Sequence, residues 1–241
     1  MICSKKALYR AFIQYIKLLF KDAMLAVLCF APILCGLFFR YGIPFIQELL
    51  TKYLDLPGLL PPYYLLFDLL LGSLTPVLYC FAAAYVILGE IDDGTSKYLA
   101  VTPIGKNGYL FSRLVIPTII AFVISIAELS IFRLTKNSLL DNLAISFIGS
   151  LLGILMALIV AALSGNKVEG MAVSKLTGLI FLGLPAPFFL KGTEQYALSF
   201  LPSFWTAKFV MKQDILSLIA GILISFLWIS ILYHRFLRKI R

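Results

Sequence analysis

This sequence has few charged residues and almost no histidine. Only 14% of its 241 residues are Asp, Glu, Lys or Arg, whereas 61% are hydrophobic, and the mean hydropathy is +0.97. Soluble domains carry about 25% charged residues, because their surface must be solvated by water. The composition therefore predicts an integral membrane protein with little chain left over for a soluble domain.

The groups on which intramembrane hydrolases and metal sites depend are also missing. His234 is the only histidine, the four cysteines are scattered, and no Cys-x-x-Cys or His-Glu-x-x-His spacing occurs. Gly105 and Lys106 are followed by Asn107, so the chain has no phosphate-binding Gly-x-x-x-x-Gly-Lys-Ser/Thr loop. We expect no catalytic residue, no metal and no bound cofactor in this chain, which would be unable to hydrolyse ATP by itself.

Six apolar stretches approach the length of about 20 residues that a helix needs to cross a bilayer. They cover residues 23–39, 63–88, 114–132, 143–163, 176–190 and 215–233. These stretches predict an all-α membrane domain of six spans over residues 22–241. The fifth is only fifteen residues long and ends at Pro185 and Pro187. Residues 191–213 are expected either to complete this crossing as an outer re-entrant segment or to form a plain external loop.

Residues 4–21 precede the first span and have two distinct faces. Lys6, Arg10 and Lys17 recur at helical spacing, opposite large apolar residues. Such a basic amphipathic helix is expected to lie among the headgroups of an anionic leaflet, so that membrane lipid is one of its partners.

Positive charge predicts the orientation of the spans. Lys and Arg outnumber Asp and Glu by 21 to 12, but no segment is polar enough to form a basic nucleic-acid-binding domain. With six crossings, placing both termini inside assigns 14 Lys and Arg to inner segments and 7 to outer segments. Because cytoplasmic loops carry the excess of Lys and Arg, we expect a multi-pass protein of the plasma membrane with both termini in the cytoplasm.

Two acidic residues fall inside the apolar stretches. Asp68 and Glu128 each lie one or two turns from the outer end of a predicted span. Charge inside a membrane is costly and can mark a substrate or proton site. Their position near the end instead favours the simpler interpretation that both carboxylates reach water.

Small residues recur every four positions in the fourth span. Gly149, Gly153, Ala157 and Ala161 form this stripe, which lets another helix approach closely. The stripe predicts either tight packing within one helix bundle or a seam between two copies of the chain. It carries no information about a substrate.

The segment 90–108 is the most polar part of the chain interior. Asp93 or Thr95 can cap a short helix there, and Pro103 would end it. A short rigid helix just outside the membrane suits a groove on a cytoplasmic partner. A simple polar turn between two spans is the alternative interpretation.

These features resemble the type-2 ATP-binding-cassette (ABC-2) exporter permeases. The resemblance in the first linker rests on Glu90, Asp92, Asp93, Gly94, Thr95, Leu99, Thr102, Pro103, Tyr109 and Leu110, which stand in the family's order. In the second linker it rests on Asn166, Lys167, Glu169 and Gly170, although such a cluster is also ordinary in loops. Span count and loop order extend the likeness over the whole chain.

The resemblance implies a permease subunit of a bacterial exporter for a drug, an antimicrobial peptide or another amphipathic compound. Two permease chains, identical or different, would pair, and each would dock a separate cassette ATPase that holds ATP and Mg. The first linker would form the ATPase-coupling contact and the second a smaller contact. The rival class is a transporter that needs no ATPase or an immunity-type membrane protein.

Overall fold

The computed structural model describes residues 5–54, 58–95, 105–136 and 138–239, and within them the regular structure is helical, with no strand. In chain order the helices are α1 (Lys5–Lys21), α2 (Ala23–Leu37), α3 (Ile43–Leu54), α4 (Tyr64–Asp92), α5 (Gly105–Leu110), α6 (Ile116–Phe132), α7 (Leu139–Leu163), α8 (Lys167–Thr177), α9 (Ala186–Phe189), α10 (Pro202–Lys212) and α11 (Ile215–Lys239). The π-helical segments Phe38–Gly42 and Phe111–Val115 join α2 to α3 and α5 to α6. Turns of 3-10 helix lie at Pro61–Tyr63, Gly178–Gly183 and Glu194–Leu198.

Five of the described helical stretches are long and apolar enough to cross a membrane. They are Ala23–Leu54, Pro61–Asp92, Gly108–Phe132, Leu139–Leu163 and Ile215–Lys239. These contain the first four predicted spans and the sixth, lengthened at their ends. The first predicted span now continues through α2 and α3 as one helical stretch, because the π-helical residues between them continue the helix without a break.

The predicted fifth span is corrected by the structure. Residues 176–190 do not form one helix: they comprise the end of α8, a 3-10 segment and the four-residue α9. Gly178 and Gly183 weaken the helix, and Pro185 and Pro187 each lack the N–H group that the helical ladder requires. The stretch therefore lacks a helix of span length.

The core is formed where α4 packs along α7, the most extensive helix contact in the described bundle. A Cβ atom added at Gly149 would lie 2.7 Å from the backbone oxygen of Gly72, and one at Gly153 would lie 2.8 Å from that of Pro76. Of the remaining stripe residues, Ala157 and Ala161 are fully buried. The stripe is thus covered by α4 at Gly149 and Gly153, and all four positions are buried within this chain.

One end of the bundle gathers both polar linkers and both ends of the described chain; we call it the linker end. There, Arg113 Nη1 donates to the backbone oxygen of Ala11 in α1 at 2.6 Å. The ammonium of Lys239, at the end of α11, donates to the backbone oxygen of Ala161 at 2.7 Å. Since α1 and the last turn of α11 meet the same end, the described chain passes along the bundle an even number of times.

The broken region between α7 and α11 also runs from one end of the bundle to the other. Ser164 follows α7 at the linker end, whereas the side-chain amide of Gln213 donates to Asp141 Oδ1 at the first turn of α7, 3.0 Å away. The chain from residue 164 to residue 213 therefore travels the length of the bundle. We call the end near Asp141 the distal end.

Residues 191–213 run toward the middle of the bundle and return. Phe189 stacks on Tyr63 at the distal end, with ring centroids 5.2 Å apart. The indole N–H of Trp228 then donates to the backbone oxygen of Phe200 at 3.1 Å. At a rise of 1.5 Å per residue, Trp228 lies about 20 Å along α11 from its first residue. The helix α10 returns the chain to Gln213 at the distal end, and the re-entrant segment stays a prediction.

Both acidic residues of the spans are buried, which corrects the expectation that they reach water. Asp68 is 1% exposed and Glu128 is 4% exposed. Asp68 accepts hydrogen bonds from the backbone N–H groups of Leu134 and Thr135, at 2.7 and 2.9 Å. The loop after α6 folds over Asp68 and keeps water away, an effect of the tertiary structure that position within a span does not disclose.

Candidate functional site

The base of the first linker is held by a buried ion pair. Glu90, in the last turn of α4, is 3% exposed, and Arg113, in the π-helical segment before α6, is fully buried. Arg113 Nη2 lies 2.5 Å from Glu90 Oε1, and Nε lies 3.1 Å from both carboxylate oxygens. The hydroxyl of Tyr109 donates to Glu90 Oε2 at 2.8 Å. A forked guanidinium with a second donor satisfies the carboxylate on both oxygens.

Arg113 also connects this ion pair to α1. Besides its bond to the backbone oxygen of Ala11, its guanidinium carbon lies 5.8 Å from the ring centroids of Tyr15 and Tyr109. Burial raises the pKa of the Tyr15 phenol, so its ring faces the cation as a neutral group. Helix α1, the end of α4 and the segment before α6 therefore share one charged centre.

The two linkers meet directly. The backbone N–H of Lys167 donates to Asp92 Oδ2 at 3.0 Å, and the Lys167 ammonium lies 3.4 Å from Asp22 Oδ2, between α1 and α2. The side chains of this second ion pair are 38% and 37% exposed, so it contributes little to stability. Its effect is on position, because it sets the start of α8 beside the junction of α1 and α2.

The second linker is an ordered helix start that rests on α4. Asn166 caps α8 by accepting from the backbone N–H of Glu169 at 2.8 Å, and Glu169 Oε2 accepts from the N–H of Gly165 at 2.5 Å. Gly170 is buried, and Tyr85 of α4 bonds to Ser174 Oγ at 2.8 Å. The start of α8 is therefore attached to α4 by side-chain contacts.

Beyond Glu90 the first linker turns toward solvent. Asp93 ends α4, and Gly94 follows in the left-handed region at φ +70°, a conformation that favours glycine after a helix. Asp92, Asp93 and Thr95 are exposed, and Thr95 Oγ1 donates to the backbone oxygen of Glu90 at 3.2 Å. The remaining predicted coupling residues, Leu99, Thr102 and Pro103, lie outside the described residues.

A polar cleft of about 150 Å³ opens where these groups meet. Its wall includes Glu90, Asp93, Thr95, Asp22, Gln14 and Lys167. It brings together side chains of α1, of the first linker and of the second linker. The linker end thus presents one continuous surface rather than two separate loops.

Sequence reasoning missed the partners that organise this end. In the sequence, Arg113 and Lys239 stand out only as positive charges, and Tyr15 belongs to the apolar face of a helix. Their distance in sequence from Glu90 and Ala161 hides the pairing; the one available signal was an arginine directly next to an apolar span, which needs a partner.

A second cavity, apolar and about 450 Å³ in volume, lies beside the broken region. Its lining residues are Leu155, Ile159, Leu179, Ile180, Leu182, Leu198, Phe200, Leu201, Pro202 and Trp228. They come from α7, the Gly178–Gly183 segment, the re-entrant region and α11. No residue of this cavity was predicted as a site, because apolar side chains in a membrane domain do not stand out.

The comparisons with known proteins agree with a transporter. The family model described as "Fluoroquinolones export permease protein Rv2686c-like" matches residues 15–235. Two Mycobacterium tuberculosis proteins are each 26% identical over 234 residues, covering 91% of this chain and 90% of the relative. They are named fluoroquinolones export permease protein MT2760, from strain CDC 1551 / Oshkosh, and Rv2686c, from strain ATCC 25618 / H37Rv. No solved structure matches.

The family match covers nearly the whole chain, including both linkers and all five long helices. It confirms the prediction of a transmembrane export permease. The chain belongs to the Rv2686c-like family of fluoroquinolones export permease proteins.

Proposed function

We propose that this chain is the membrane subunit of a type-2 ATP-binding-cassette exporter. It pairs with a second permease chain and docks a separate ATPase, which binds ATP and Mg, on the linker end. The termini and both linkers face the cytoplasm of a bacterial cell. The cargo is an amphipathic compound, with a fluoroquinolone-like drug the first to test, since the relatives carry that name.

The observation that carries this proposal is the meeting of Asp92 with the backbone of Lys167. Two linkers that are 75 positions apart form one surface, and exposed acidic groups of the first linker lie on it. A partner that binds there touches the end of α4 and the start of α8 together. This arrangement supports the docking of a single ATPase across both linkers.

The buried pair of Glu90 and Arg113 supports a role in transmission. Because both side chains are enclosed, Glu90 positions the linker from inside instead of contacting the ATPase itself. A force that the docked ATPase exerts on the exposed residues Asp93 and Thr95 acts on α4 through the ion pair of Glu90 and Arg113. The shared guanidinium carries the movement to α1 and α6.

The apolar cavity supports an amphipathic cargo. It lies between α11 and the broken region that follows α7, whose backbone changes direction several times. Helix breaks at membrane depth are tolerated where protein or a cavity covers the backbone. We assign the movement that admits and releases cargo to this region, since short segments repack at lower cost than a continuous helix.

The test is charge reversal on the exposed linker surface. Asp93→Lys should abolish co-purification of a co-expressed cassette ATPase from the same organism and reduce stimulated ATP hydrolysis at least tenfold. Glu48→Lys, an exposed reversal on α3 at the distal end, is the matched control and should change neither. Equal behaviour of the two variants would show that the ATPase does not dock on the first linker.

A transporter without an ATPase is the second candidate, since carriers driven by ion gradients also use broken helices at the site. Vesicles containing only the purified chain distinguish the two. Drug accumulation without nucleotide would favour the gradient-driven carrier. Accumulation only with the ATPase and ATP would favour the exporter.

A further inference from the structure

Glu128 is a buried acidic residue that is not part of the linker end. It lies on α6, is 4% exposed and contacts Thr75 of α4, with 2.5 Å between Glu128 Oε2 and Thr75 Oγ1. Its second oxygen, Oε1, is buried without a hydrogen-bond partner. The ion pairs found in the described part of the chain join Arg113 to Glu90 and Lys167 to Asp22, so neither supplies a cation to Glu128.

The hydroxyl of Thr75 can donate only one hydrogen bond. Its Oγ1 lies 2.9 Å from the backbone oxygen of Leu71, four residues earlier, in the usual geometry of a helical threonine. The Leu71 oxygen and Glu128 Oε2 are therefore two acceptors for the single hydrogen of the Thr75 hydroxyl. An ionised Glu128 leaves one of these two short oxygen–oxygen contacts without a hydrogen, whereas a protonated Glu128 supplies a second hydrogen and satisfies both.

Asp68 provides a contrast within the same half of the bundle. It is equally buried, but it accepts from two backbone N–H groups and from the hydroxyl of Thr135. Three donors stabilise an ionised carboxylate. The donor to Glu128 in the described chain is the Thr75 hydroxyl, which it shares with a backbone oxygen, and Oε1 is left without a partner. An ionised carboxylate with so few donors is strongly disfavoured away from water.

The groups that face Glu128 from neighbouring helices do not compensate a negative charge. Cys35 of α2 and Tyr79 of α4 are within electrostatic reach, and both are neutral when protonated. On α7, Ser146 bonds to Ser125 of α6 at 2.9 Å. This side of α6 is thus polar but uncharged, a setting that admits a carboxylic acid.

We propose that Glu128 is a proton-binding site within the spans and that it is occupied in this conformation. The carboxylic acid donates to Thr75 and bridges α6 to α4. When α4 and α6 separate and water enters, the carboxyl group loses its acceptor and releases the proton. Conformational change of the bundle is thereby linked to proton uptake and release, whatever drives transport.

Infrared spectroscopy of the full chain in lipid nanodiscs tests the proposal. At pH 7 the wild type should show the carbonyl stretch of a protonated carboxylic acid, because exposed Glu and Asp side chains ionise near pH 4. Glu128→Gln should lose this band, whereas the matched variant Asp68→Asn should keep it. Thr75→Val should keep the band but shift it, since the hydrogen-bond acceptor is removed while the acid stays buried.

The wild-type measurement is decisive even if a variant does not fold. A wild type without this band at pH 7 would overturn the proposal, as would a folded Glu128→Gln that retains it unchanged. Because the experiment needs neither ATPase nor cargo, its failure would leave the exporter assignment intact, and failure of the exporter assignment would leave Glu128 testable.

Discussion

Arg113 and Glu90 form the only charged contact in the described chain whose two side chains are both almost fully enclosed, with 2.5 Å between Nη2 and Oε1. They lie 23 positions apart, on either side of the linker proposed to dock the ATPase. Each charge depends on the other for its neutralisation. The pair therefore closes the base of the linker and holds its two ends at a constant spacing.

Removal of either member of this pair should be more harmful than removal of both. Glu90→Ala or Arg113→Ala leaves a buried charge unpaired and should cost about 3–5 kcal/mol of unfolding free energy. The double variant should cost less than the sum, because no lone charge remains. Unfolding in detergent micelles measures these values. Lys167→Met, which breaks the half-exposed pair with Asp22, should cost less than about 1 kcal/mol. Additive single effects would contradict the coupling.

The contact of α4 with α7 predicts opposite results for two glycines. Gly149→Ala places a methyl group 2.7 Å from a backbone oxygen of α4, which cannot move like a side chain, so a loss of about 1–3 kcal/mol is expected. Gly178→Ala meets no atom within 4 Å and should be neutral or slightly stabilising. Melting temperatures of the two purified variants measure the difference. A tolerated Gly149→Ala would show that the two helices are not in close contact.

The re-entrant segment predicts a minimum of water exposure in its centre. Single cysteines at positions 191, 200 and 212, in a background without native cysteines, should react with a water-soluble maleimide in reconstituted vesicles. Positions 191 and 212 should react quickly, whereas position 200, at the depth of Trp228, should react at least tenfold more slowly. A steady change along the segment, without a minimum, would indicate a plain external loop.

The shared location of α1 and the end of α11 predicts one side for both termini. Alkaline phosphatase, which is active only after export, should be active when fused after Gly58 and inactive when fused after Lys239 or ahead of α1. Fusion after Gln213 should again be active, since that residue lies at the distal end. Activity at the carboxyl terminus would require an odd number of crossings. It would contradict a crossing by the broken region between α7 and α11.

Sequence patterns predicted the helical elements well where composition is decisive. Long apolar runs identified four spans before residue 164 and the last span, because a lipid-embedded backbone must satisfy its hydrogen bonds within a helix. The fifth run was also strongly apolar, but it contained glycines and prolines at short intervals. Its apolar character is evident from the sequence, whereas the packing of α10 against the interrupted backbone is a property of the tertiary structure.

The sequence alone determined that the chain resides in a membrane, that its regular structure is helical, and that its two polar linkers resemble exporter permeases. These properties depend on composition and short motifs, which are local. Only the tertiary structure decided that Glu90 is enclosed by Arg113, that Asp92 meets Lys167, and that Glu128 lies against Thr75 without a cation. Such contacts join side chains dozens of positions apart, and burial, which sets their charge and energy, exists only once the helices have packed.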